Sequence, residues 1–183
     1  MDASFEQHVR AAAERPVVLA AVGRVYSDLQ DRIEERRPVC VASGRCCKFE
    51  AFGHRLYVTT LELAAFVHGL GHQPQPRRNP LSLPLAWDGT GCPFQSQRLC
   101  TVHPIRPFGC RVFFCDSSAG QWQNDVYEQF HTRLKRLHEE LEVPYVYVEW
   151  RDALRRLGLA DVVAGEPQAG KAPAGKVGTE DSF

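Results

Sequence analysis

Apolar residues recur at spacings of three and four along Val18, Val22, Val25, Leu29 and Ile33. That period lays one stripe along a helix of roughly five turns, and the stripe is read as a packing face. Before it, Ala11 to Ala13 among charged neighbours favours a first helix, which Pro16 ends while opening the second. Leu56 to Thr59 is a short strand-like run. Thr59-Thr60-Leu61-Glu62 then reads as a capping box with Thr59 at the N-cap and Glu62 at N3. The helix it opens carries Leu63, Phe66, Val67 and Leu70 on one side and is expected to stop at Gly69 or Gly71. Pro74, Pro76, Pro80 and Pro84 make residues 72–91 irregular. A long helix is predicted from about Gln121 to Glu142, striped by Trp122, Val126, Phe130, Leu134, Leu137 and Leu141 and closed by Pro144. Tyr145 to Trp150 alternates like a strand. Arg151 to Leu159 reads as a short final helix.

These elements predict a mainly α fold, with one or two short strands and irregular metal-binding loops. We expect a small single-domain helical fold around a cysteine-rich metal centre. The expected divisions are an N-terminal helical segment (1–37), a cysteine-cluster domain packed on helices (38–163) and a tail (164–183). The tail is rich in Gly, Ala, Pro and Lys, which predicts disorder. At 183 residues the chain suits one domain. Its 22 basic and 22 acidic residues cancel, so composition offers no footprint for nucleic acid or anionic membrane. No apolar run approaches the ~18 residues of a membrane span. The opening MDASFEQHVRAAAERP lacks an apolar signal core, which predicts a cytoplasmic protein whose thiols stay reduced.

Compartment matters because the chain has 7 cysteines in two stretches. The first holds Cys40, Cys46 and Cys47; the second holds Cys92, Cys100, Cys110 and Cys115. In a reducing compartment such crowding reads as metal ligands or redox groups rather than disulfides, and an odd count cannot pair fully. The C-x2-C knuckles of zinc ribbons and the C-x2-C-x2-C run of ferredoxins are both absent. Thiolate softness narrows the metal to zinc, an iron–sulfur cluster or Cu(I). Seven thiols exceed one tetrahedral centre, so either some are spare or a cluster is present. Cys115, beside Phe113 and Phe114, also suits a small core residue. His54 and His103 read as surface groups or supports near the site, and the other histidines as incidental.

The blocks Gly44-Arg45-Cys46-Cys47, Cys92-Pro93-Phe94, and Cys100-Thr101-Val102-His103-Pro104-Ile105-Arg106-Pro107-Phe108-Gly109-Cys110-Arg111-Val112-Phe113 together carry a likeness. Over roughly residues 38–116 the chain resembles the YkgJ-type cysteine-cluster (CxxCxxCC) proteins, described as a zinc- or iron-chelating domain. Thr59 and Glu62 fall where that family often has a threonine and a glutamate. His103 stands where a tyrosine is usual, and one Cys precedes the pair where some members have two. The resemblance implies a bound zinc ion or iron–sulfur cluster, of the four-iron type, and no settled activity. A flagellin lysine N-methylase branch carries a similar cluster, but no Gly-rich loop for S-adenosylmethionine follows a strand here.

Thiolates around a metal leave a net charge of about −2 for four of them with Zn2+ or an oxidised four-iron cluster. Arg45, Arg106 and Arg111, and also Arg98, lie close in sequence to cysteines. The first three are candidates to offset that charge and donate hydrogen bonds to sulfur. Pro93, Pro104 and Pro107 stiffen the loops. The leading expectation is a metal-binding protein without an assigned reaction. The alternatives are a cluster-dependent modifying or redox enzyme and a structural zinc module that binds a protein partner. No paired carboxylates or nucleophile–base motif supports the enzyme reading.

Overall fold

The computed structural model describes residues 3–73 and 90–159. The four prolines of the 72–91 stretch and the whole 164–183 tail lie outside the described residues. Helix α1 (Ala3–Ala13) is followed by α2 (Pro16–Arg36), with proline at the start of the second helix as its fixed φ favours. A 3₁₀ turn (Arg45–Cys47) and the one-turn α3 (Phe49–Phe52) form the first cysteine loop. Strand β1 (Tyr57–Thr59) leads into α4 (Thr60–His72). The second loop contains β2 (Gln95–Ser96), β3 (Leu99–Cys100), a 3₁₀ turn (His103–Ile105) and α5 (Phe108–Val112). After a 3₁₀ turn at Ser117–Ala119, the chain ends its described course with α6 (Gly120–Glu140), β4 (Tyr147–Glu149) and α7 (Trp150–Arg156).

The fold is mostly helical, with two antiparallel two-stranded sheets. In the first, β1 pairs with β4, so that Val58 faces Val148. In the second, β2 pairs with β3, so that Gln95 faces Cys100. The predicted stripe of α2 is the buried one: Val18, Val22, Val25 and Leu29 are wholly covered. On α6, Val126, Phe130 and Leu134 are buried, while Trp122, Leu137 and Leu141 are half-buried. The capping box is present with both of its hydrogen bonds. Helix α4, however, continues past Gly69 and Gly71 to His72. Tertiary packing overrides the local signal there, since Val67 and Leu70 pack on the core and Gly69 lies against Ile105.

The N-terminal segment is not a separate unit of packing. Phe5 and Val9 of α1 share one cluster with Phe49, Phe66, Phe94 and Trp150. Phe66 sits edge-on to Trp150 at 4.9 Å and to Phe94 at 5.3 Å. Each such ring pair adds about 1 kcal/mol beyond area burial. Cys92, Cys100 and Cys110 pack against this same cluster. The cysteine loops therefore rest on a rigid aromatic base. Among the described residues no helix is long and apolar enough to cross a membrane.

Candidate metal centre

Two glycines bring the cysteine loops together. Gly91 has φ 59°, and the Cys92 N–H after it donates to the Cys47 carbonyl at 2.8 Å. A Cβ on Gly91 would stand 2.8 Å from that same carbonyl oxygen. Gly44, with φ 72°, accepts at its carbonyl from Gln95 Nε2 at 2.9 Å, and a Cβ there would meet the Gln95 amide at 2.5 Å. Only glycine permits both the left-handed backbone and this closeness. Glu50 ties the second loop down further. Its carboxylate accepts from Gly91 N at 2.9 Å and pairs with Arg151 Nη1. These bonds hold its pKa down to about 2, with the Gly91 amide the larger cause.

The 92–100 segment is a hairpin closed by Gln97 and Arg98, both at positive φ. A two-residue turn of this hand suits hairpin twist, although Asn and Gly are its usual occupants. The absence of those residues is why the pattern of the sequence gave no hint of a hairpin. It returns Cys100 towards Cys92 over the buried Phe94 ring.

Four thiols meet around Cys47, the most buried of them. The Cys100, Cys46 and Cys92 sulfurs lie within reach of its S–H, and that proton, which only one of them can take at a time, is held more tightly, so its pKa is raised. The acceptors move the other way. Cys46 falls to about 6, first through Cys47's hydrogen bond and then through the nearby Arg106 charge. Cys92 and Cys100 are lowered by the same donor. Cys110 stands beside this group: burial raises its pKa, and thiolate at Cys92, Cys100 and Cys46 raises it further. Among the described residues, no group of three or more His, Cys, Asp or Glu side chains satisfies the geometry of a ready-made metal site. Cys46, Cys92 and Cys100 gather around Cys47, and Cys110 stands beside them, so sulfur is drawn from both loops.

The surroundings suit negative sulfur. Among the described residues, Arg106 Nε is a buried donor without a partner, and the buried Trp150 indole N–H finds no acceptor but the Cys92 sulfur. The indole N–H favours the Cys92 thiolate, and the guanidinium favours those of Cys46 and Cys100. Buried N–H groups that lack an oxygen acceptor are costly, and a thiolate centre supplies the acceptor. Soft, clustered sulfur donors fit zinc or an iron–sulfur cluster.

The other candidates are placed differently. Cys40 is exposed, and Cys115 meets Ser43 Oγ at 3.2 Å, away from the five. Arg45 lies 4.9 Å over the Phe52 ring. Arg111 donates to the carbonyls of Arg106 at 2.9 Å and Pro104 at 2.8 Å, and stacks 4.2 Å over Tyr26. It braces the turn that carries Arg106, and is not among the groups acting on the four central thiols. Arg106 alone of the three does so, and its Nη1 also meets His103 Nε2 at 2.5 Å. His54 sits at the edge of the site, its Nε2 3.4 Å from the Cys46 carbonyl and its ring stacked on Phe113 at 5.0 Å.

Glu62 has a second role that the sequence did not reveal. One carboxyl oxygen accepts from Thr59 N at 2.8 Å, closing the cap of α4. The other accepts from Phe108 N at 3.0 Å, at the start of α5, two residues before Cys110. Burial pushes this carboxyl up to about 7, while the two amides pull it back. The capping box was visible in sequence; the reach to Phe108 spans 46 positions and has no local pattern.

Comparison with protein families, curated proteins and solved structures gives no match for this chain.

Proposed function

We propose that this chain is a thiolate metal protein of the YkgJ-like kind, its centre built from Cys46, Cys47, Cys92 and Cys100 with Cys110 alongside. The observation that carries the reading is the convergence of Cys46, Cys92 and Cys100 on Cys47, which draws sulfur from both loops. Zinc or an iron–sulfur cluster would be held by these residues. When bound it supplies a cross-link between the loops and, in the cluster case, a site for one electron. The chain's own part is clearer. Trp150 and Arg106 offer N–H groups to sulfur, Gly44 and Gly91 let the loops approach, and Glu62 fixes α5.

The test is metal content and colour. Anaerobically purified protein should carry a stoichiometric metal. A brown sample absorbing near ~400 nm, with iron and sulfide, identifies the cluster. A colourless sample with about one zinc per chain identifies the ion. Protein that is folded and reduced, yet holds neither metal even after reconstitution, refutes the proposal.

A further inference from the structure

Beside the thiols opens a cavity of about 360 Å³, within the range of small-molecule sites. Its lining is unusual in two respects. Rings supply much of it: the His54–Phe113 stack at 5.0 Å and the Tyr57–Tyr147 stack at 5.2 Å both contribute. Tyr127 joins them through a 2.7 Å hydroxyl contact with Tyr147. Secondly, no Asp or Glu is among the lining residues, whereas Arg55 is. Gln123 accepts from Phe114 N at 2.6 Å with its carbonyl, which leaves its NH2 as the end for a ligand. His54 Nδ1 is a buried ring nitrogen without a partner. Arg55 is exposed while Cys46 and Cys110 are partly buried, so the arginine borders the open side of the cavity and two thiols border its deeper side.

We infer that this cavity binds a small aromatic carboxylate, its ring among the tyrosine, histidine and phenylalanine rings and its carboxylate at Arg55. Ring stacking supplies selectivity for a planar body. The guanidinium and the amide N–H groups supply selectivity for an anion at the open side, where no Asp or Glu faces it, and the Cys46 and Cys110 sulfurs, negative when ionised, turn the carboxylate towards Arg55 and the ring inward. The cavity shares Cys46 and Cys110 with the proposed metal centre, so its thiol wall rests on that reading, while its ring wall and Arg55 do not.

The test uses the full chain as purified, with metal per chain measured on the same sample so that the two readings are judged separately. 4-Hydroxybenzoate is titrated by calorimetry and by NMR. It should bind with a Kd of about 1 mM or tighter. Cyclohexanecarboxylate, with equal charge and no ring electrons, should bind roughly tenfold more weakly. Benzylamine should not compete. Two variants at exposed positions keep the fold intact while changing the charge: Arg55→Gln should weaken 4-hydroxybenzoate by about threefold to tenfold, and Asn124→Asp, which adds an acid to the lining, by at least as much. Absence of binding up to about 10 mM on folded protein overturns the inference. So does equal affinity for the saturated acid, or an unchanged Kd in both charge variants.

Discussion

The seven cysteines fall into two environments, and the contrast between them is instructive. Cys46, Cys47, Cys92, Cys100 and Cys110 act on one another, and Cys92, Cys100 and Cys110 pack on the aromatic core around Phe94 and Trp150. Cys40 and Cys115 lie on the flanking chain near Asp116, which binds Val39 N at 3.1 Å, and neither acts on the five. The two groups have the same side chain and the same compartment. What separates them is support: the five stand on loops pinned by Gly44, Gly91, Glu50 and Glu62, and the two do not. Proximity in sequence is a poor guide, because Cys115 is only five residues from Cys110.

The largest expected effect is loss of the metal. Cys47→Ser should abolish metal retention, and Cys46→Ser, Cys92→Ser and Cys100→Ser should nearly do so, because opening a thiolate site to water weakens each remaining bond. Metal per chain after purification is the measurement. Retention in the Cys46 and Cys47 variants, with loss in the Cys92 and Cys100 variants, would divide the cluster by loop and break the single-centre picture. Cys92 belongs with the group around Cys47, whereas Cys40 is exposed. Chelation of the reduced protein belongs to the same scale. It should lower the melting temperature by about 10 °C or more, since the metal would cross-link two loops remote in sequence. Identical melting curves with and without chelator would show the centre to be non-structural.

Arg106→Ala comes next. The metal should stay bound but loosen by roughly 10- to 100-fold, read by competition with a chromophoric chelator. Arg111→Ala should have a smaller effect on affinity, because its guanidinium serves backbone carbonyls. Equal effects would erase the distinction drawn between the two arginines.

Glu62→Gln sharpens the role of the support. A glutamine presents only one acceptor, so either Thr59 N or Phe108 N loses its partner, at a cost of about 1–3 kcal/mol in denaturant unfolding. The wild type should also show a signature in pH. The folded carboxyl titrates near 7 against an ordinary value of 4.5, so the native state holds more protons than the unfolded one between these values. Its stability therefore falls as pH rises through that window, by about 3 kcal/mol at most. Glu62→Gln should flatten this slope. A slope that persists unchanged would assign it to other groups.

The smallest effects are expected at the outlying thiols. Cys40→Ser and Cys115→Ser should keep full metal content and change stability by about 0.5 kcal/mol or less at the exposed Cys40. Loss of metal in either variant would erase the division into five and two.

The sequence by itself determined the main helices and the set of candidate ligands. Residues three and four apart meet on a helix whatever surrounds it, so the α2 stripe, the α6 stripe and the Thr59–Glu62 cap were legible from local spacing. Clustered thiols suggested a soft-metal centre in the same way, because softness is a property of residue type. Tertiary structure decided the remainder. It carried α4 through Gly69, because packing on the core outweighs a glycine's weak preference to end a helix. It turned an apparently featureless loop into a hairpin, and it gave Glu62 a second helix to hold. It also chose which thiols meet. That choice rests on contacts such as the Cys92 N–H to the Cys47 carbonyl, between residues remote in sequence. No local period encodes such a contact, because it exists only once the aromatic core has placed both loops on the same face.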